Sequence, residues 1–330
     1  PGANVASATP SAIVTATSLS GEYLRLKLCL LSDGTPIVCP YWSIGVTENI
    51  DLYLPNLTLK QLATVTNDLF DYDKVLSDLG RMTSKDISLI KKLLKIIYLP
   101  LEIVLDALSF DINLNLEIIF PSQHELEVLP IIGSIELNLN SFVDRTLNSV
   151  FNHIRNHKVK GHGGVGRSII FLSSNSMICK ILNWKQPNFP VFLIMNGIKY
   201  NPIKKTFDSR STNGLLLEEM DIVNPRSRLH KLELIDQENS IRSIKEAINF
   251  TMNNNLIGLI LSVHVLNLVP KLITLIRSRG LVLVASSDSQ DDYDIDDGYL
   301  FGKDLDSYTK TDVNGLRFDD ILRFKEDISM

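Results

Sequence analysis

The chain has 330 residues, 45% hydrophobic and 22% charged, an ordinary globular composition with length enough for one large domain or two. Its formal net charge of −5 opposes a nucleic-acid partner, because neutralising phosphates takes a concentrated basic face. No apolar run approaches the roughly 20 residues of a membrane span, so no membrane partner is expected.

Residues 1–11, rich in Ala, Ser and Pro, read as a linker, and a start at Pro1 without a signal peptide reads as a piece of a longer protein. Ala12–Thr17 is the first candidate strand. In Gly21–Trp42, Leu24, Leu26, Leu28 and Leu30 alternate with Arg25, Lys27 and Cys29, the period of a strand with two distinct faces. Ser32-Asp33-Gly34 marks a tight turn, and Thr35–Cys39 returns as a second strand. Residues 43–112 read as mostly helical. Thr58 and Gln61 have capping-box spacing, Ser84 is a candidate cap for a helix reaching Ile97, and Leu101–Leu108 forms another.

Asn113–Phe120 is a strand, Ser141–Arg155 a helix with Ser141 as its expected cap, and Lys158–Arg167 a loop. Beyond it, short apolar runs at 168–172, 191–195, 256–261 and 281–285 alternate with helical patterns at 175–184, 240–253 and 265–279. That order predicts a parallel sheet with covering helices, and the near-continuous apolar runs predict burial on both faces. Periodicity leaves a closed barrel and an open sheet both standing.

Apparent motifs are weak. Gly161–Arg167 precedes a strand, whereas phosphate-cradling loops follow a strand and open a helix. With Gly298 at the calcium-loop glycine, the acidic run Asp288–Asp297 puts Tyr293 and Ile295 at the first two ligand positions and Asp304 where the closing glutamate belongs, so it reads as a solvated loop. His153, His157 and His162 lack further ligands at coherent spacing. Cys29, Cys39 and Cys179 have neither metal nor redox spacing and read as buried, reduced thiols. The Asn56 and Asn249 glycosylation sequons have no support from any secretory mark.

Several segments together resemble the glycerophosphodiester phosphodiesterase family: Gly21–Trp42, Leu116–Pro121, Gly166–Asn175, Lys185–Val191, Ser240–Ile248, Pro270–Leu283 and Asn314–Asp319. The resemblance implies an α/β fold, a TIM-type (β/α)8 barrel over residues 12–330 with a helical insertion and connecting helices at 43–112. The family uses a Glu-x-Asp pair for a divalent metal and a His-Asp pair for proton transfer. Aligned through Asp33-Gly34 and Pro36, those positions hold Arg25, Lys27, Pro40 and Tyr41. In the family's Glu-x-Lys strand Glu117 is kept, but Ile119 replaces the lysine. The opening His-Arg-Gly is absent from 12–21. Two cations cannot ligate a third, and neither Pro nor Tyr replaces an imidazole.

The resemblance therefore implies a pseudoenzyme with no catalytic residues, metal or cofactor. Within the family the pattern is most similar to fungal regulatory members that place this domain after an SPX domain and ankyrin repeats. These imply a module of a cyclin-dependent-kinase inhibitor in phosphate-starvation signalling, in cytoplasm and nucleus, with protein partners such as a cyclin–kinase complex. Two alternatives stand beside it: an active phosphodiesterase with a rearranged site, and a phosphate or anion sensor using Arg25 and Lys27. Glu117 is expected to pair with Arg25 or Lys27 across the barrel mouth, or else to remain as a metal ligand.

Overall fold

The computed structural model describes residues 18–122, 125–126, 138–159, 166–201, 203–209, 241, 243–287 and 312–330. The linker at 1–11, the strand at 12–17, the glycine-rich stretch at 160–165 with His162, and the acidic run at 288–297 lie outside the described residues.

Strand β1 (Ser18–Leu19) leads into β2 (Glu22–Leu30), which turns at Gly34 into β3 (Pro36–Val38). Gly34 has φ of +84°, and Asp33 fixes the turn by accepting from the amides of Thr35 and Leu59. Next come β4 (Ser43–Thr47), β5 (Ile50–Tyr53), α1 (Leu59–Asn67), α2 (Tyr72–Arg81), α3 (Ile87–Leu94), β6 (Leu99–Pro100) and α4 (Leu101–Ala107). The 43–112 stretch is thus helical only after Tyr53. Its first eleven residues form an antiparallel hairpin, because Ile44, Val46, Ile50 and Leu52 are strand formers around a Glu48-Asn49 turn.

The remaining order is β7 (Asn113–Ile118), α5 (Leu139–Val159), β8 (Ile169–Ser173), α6 (Ser176–Lys185), β9 (Val191–Ile194), β10 (Ile198–Asn201), β11 (Thr206–Ser209), α7 (Ile244–Asn253), β12 (Gly258–Ser262), α8 (Val263–Leu268), α9 (Lys271–Ser278), β13 (Val282–Ser286), β14 (Gly315–Phe318), β15 (Ile321–Phe324) and β16 (Ile328–Ser329).

Strands β2, β7, β8, β9, β12, β13, β14 and β15 are hydrogen-bonded in that order, and β15 bonds back to β2. The ring is closed. Neighbours from β2 round to β14 run parallel, while β15 is antiparallel to both β14 and β2. The fold is the expected TIM-type barrel, with its seam sealed by a returning strand. β1 pairs with β16 outside this ring, and Leu19 and Ile328 pack on the interior core from the amino-terminal end of the strands.

Period-2 alternation sorts the strand residues. Tyr23, Ile170, Leu172, Phe192, Ile194, Ile260, Val284, Leu322 and Phe324 fill the barrel. Leu24, Leu26, Leu114, Leu116, Phe171, Leu193, Leu259 and Leu283 face outward against Ile178, Leu182, Ile248 and Ile276 of the covering helices. Each such side chain contributes about 1.5–3 kcal/mol on full burial, so two concentric cores hold the wall from both sides. Gly258 permits a close strand approach: a Cβ there would lie 2.0 Å from the Val282 carbonyl oxygen.

Several helix boundaries differ from the sequence expectation. Thr83, not Ser84, caps the turn before α3, and Ser84 instead bonds to Asp111. Asn138 accepts from the Ser141 amide at 3.0 Å, so Ser141 lies inside α5. Pro270 divides the expected 265–279 helix into α8 and α9. Thr58 and Gln61 do form the reciprocal capping box.

Candidate functional site

The alternation of β2 puts Tyr23, Arg25, Lys27 and Cys29 on its inner face. Parallel register then sets Arg25 beside Asn115 and Lys27 beside Glu117 of β7. Lys27 and Glu117 approach the carboxyl ends of the strands, where barrel loops gather. From the other side of the seam, β14 brings Arg317, and the turn joining it to β15 brings Asp320.

These side chains form one ionic network. Arg25 Nε donates to Glu117 Oε2, and Arg317 Nη2 lies 3.6 Å from the same oxygen. Arg25 Nη1 reaches Asp320 Oδ1 at 3.5 Å, while its backbone amide donates to the Asp320 carbonyl at 2.9 Å. Lys27 Nζ donates to the Pro40 carbonyl oxygen at 3.3 Å. Arg317 is 2% exposed and Glu117 is 6% exposed.

Burial would push the Glu117 carboxyl up, but Arg25, Arg317 and Lys27 outweigh it and hold the group at about 2. Burial also lowers Arg317, to about 10, against the attraction of Glu117. Lys27 is lowered by burial first and by Arg25 second. At neutral pH the centre of the network is the Glu117 carboxylate enclosed by cations, with Asp320 on the far side of Arg25.

Such a donor set does not fit a divalent cation. Calcium or magnesium needs several oxygens, whereas the sole carboxylate on the inner strands here is flanked by two guanidiniums and an ammonium. Among the described residues no three His, Cys, Asp or Glu side chains are grouped to hold a metal. The other aligned positions disperse. Pro40 contributes only its carbonyl, Tyr41 is half-exposed with its ring edge-on to Trp42, and Ile119 packs into the apolar cluster around Trp42.

The sequence reading missed Arg317 and Asp320. The signal for Arg317 was its place between Leu316 and Phe318 in an alternating strand. That for Asp320 was a two-residue gap between two such strands. Asp319 and Asp320 both have positive φ, 49° and 63°, as a tight hairpin turn requires.

Other candidates take structural roles. His153 Nδ1 pairs with Asp106 at 2.7 Å, and His157 stacks on Phe110. Arg167 donates to the carbonyls of Leu105, Leu108 and Ser109, closing the end of α4. The cysteines are free and buried, and burial pushes Cys39 and Cys179 up to about 12, which leaves neither as a thiolate nucleophile.

No family model matches the chain. It is 32% identical over 286 residues to the phosphate system positive regulatory protein PHO81 of Saccharomyces cerevisiae, covering 87% of this chain and 23% of that protein. It is 31% identical over 283 residues to the ankyrin repeat protein nuc-2 of Neurospora crassa, covering 85% and 26%. The chain therefore spans about a quarter of the length of these relatives. A further likeness, 24% over 185 residues, is to the glycerophosphocholine phosphodiesterase GDE1 of Eremothecium gossypii, covering 56% and 11%. Among solved structures, a glycerophosphodiester phosphodiesterase from Thermotoga maritima aligns with a TM-score of 0.45 and 12% identity, over 90% of this chain and 80% of that one.

Proposed function

Because this chain resembles the glycerophosphodiester phosphodiesterases and is similar to a segment of a fungal phosphate-system regulatory protein, we propose that it is a noncatalytic module of phosphate signalling that acts through protein contacts. The observation that carries this reading is the enclosure of Glu117 by Arg25 and Arg317. The position that would anchor a metal is spent on an internal ion pair, while the barrel around it keeps both cores. A scaffold retained without its chemistry is useful for its surface.

The module is one barrel following the linker at 1–11, within a longer inhibitor of a cyclin-dependent kinase that works in cytoplasm and nucleus. Its contact regions are the 43–112 insertion, which exposes Ile50, Leu69 and Leu89, and the stretches 156–167 and 286–304. No described helix is long and apolar enough to cross a membrane.

The test deletes residues 12–330 from the full-length protein and measures kinase inhibition and partner recovery at high and low phosphate. Loss of regulation or of a bound partner is expected. Unchanged regulation with every partner retained overturns the reading.

A further inference from the structure

The seam of the barrel leaves a break in its wall. β15 begins at Ile321, opposite Leu24, so it stops short of the upper part of β2. The β3 ladder starts at Leu28, and beyond it only the Cys39 amide reaches this edge, donating to the Lys27 carbonyl at 3.0 Å. Between the two, around Leu26, a crevice lined by residues 25–27 opens against the last turn of α3. Its volume is about 40 Å³. On that measure a single water needs about 10–15 Å³, so the crevice holds a few waters or one tetrahedral oxyanion, and not a whole glycerophosphodiester.

The charges around it are uneven. Arg25, Lys27, Lys91 and Lys95 line the crevice with a single carboxylate, Asp320, which lies against Arg25. Lys91 is paired with Asp319 at 2.6 Å in the same hairpin turn. Lys27, largely withdrawn from water, has the Pro40 carbonyl as its hydrogen-bond acceptor, and among the described residues no carboxylate forms a salt bridge with it. Lys95 stands at the exposed rim. Lys91 and Lys95, four residues apart, share one face of the helix end. Cys39, also on the lining, is held neutral by burial. This cationic spot occurs in a chain of net charge −5, so it is a local feature rather than a reflection of overall composition. The carboxyl end of α3 opposes an anion with about half a unit charge, against three ammoniums.

We propose that this seam crevice binds one phosphoryl-type oxyanion, held by Lys27 and Lys95 with Lys91 and Arg25 beside them. Two of these lysines come from the insertion, so the site extends beyond the Glu117 ion pair, with Arg25 common to both. It rests on the break in the wall and not on the noncatalytic reading, and stands or falls by binding alone.

Calorimetric titration of the full chain with inorganic phosphate, and separately with phosphoserine, tests it. Saturable binding of either is expected, weakened tenfold or more by Lys27→Met and by Lys95→Gln, largely restored in Lys27→Arg, and unchanged in Lys180→Gln on α6. Phosphate binding with phosphoserine refused identifies the free ion as ligand. Binding of both identifies a phosphomonoester group. Lys95 is exposed, so its variant remains informative if the Lys27 variant does not fold. No saturation with either probe, or equal affinity in the Lys95→Gln protein, overturns the proposal.

Discussion

Glu117 keeps a full negative charge inside a barrel because Arg25 and Arg317 reach it from two strands. Removing the carboxylate would take away the anion that Arg25 and Arg317 share, and Glu117→Gln should lower stability at pH 7 by about 3–5 kcal/mol. The pH dependence has a definite sign. The group is held at about 2 in the folded chain, against roughly 4.3 when unfolded. Its contribution is therefore fully present above the unfolded value and is lost as pH falls through the folded one, about 3 kcal/mol over that window. Denaturant unfolding at pH 7, 4 and 3 should show the gap between the native chain and Glu117→Gln narrowing as pH drops. A gap of constant size would refute the assignment. The sequence disclosed Arg25 and Lys27 through alternation on one strand and Glu117 through the family's strand pattern. Arg317 and Asp320 were not legible, because they meet Arg25 only when the ring closes across nearly 300 residues.

At the scale of elements, local chemistry was readable where both partners are neighbours in sequence. The Thr58–Gln61 box and the Asp33-Gly34 turn are examples. It failed where an alternative partner lay elsewhere: Ser84 looks like a cap, yet Asp111, 27 residues away, takes its hydroxyl. The 43–53 hairpin was hidden by the helical character of the sequence after it. Arg167 offers a test of such long-range capping. Its guanidinium donates to three carbonyls at the end of α4 and lies over Phe110 at 4.9 Å. Arg167→Ala should cost about 3 kcal/mol by leaving buried carbonyls without donors, and Arg167→Lys should recover little, since an ammonium cannot span the fork. Chemical denaturation would measure both. Full recovery by lysine would show that charge alone matters there.

For the whole molecule, the order of apolar runs and helices gave the parallel sheet, and resemblance supplied the closure that periodicity could not. Neither disclosed that the seam is sealed by an antiparallel return strand, since β14 and β15 are four residues each with no crossover helix to announce them. That closure brings Arg317 and Asp320 to the mouth and opens the lysine-lined break beside it. The scaffold is intact, and what differs from a hydrolase is the charge at its mouth, cationic where a metal would need carboxylates. The central proposal is that this barrel does no phosphodiester chemistry. It is tested most directly by incubating the purified chain with glycerophosphocholine, with and without magnesium, calcium, manganese or zinc, and measuring released choline. The account predicts no turnover above the protein-free rate under any of these metals. Metal-dependent release that disappears in Glu117→Gln would contradict it.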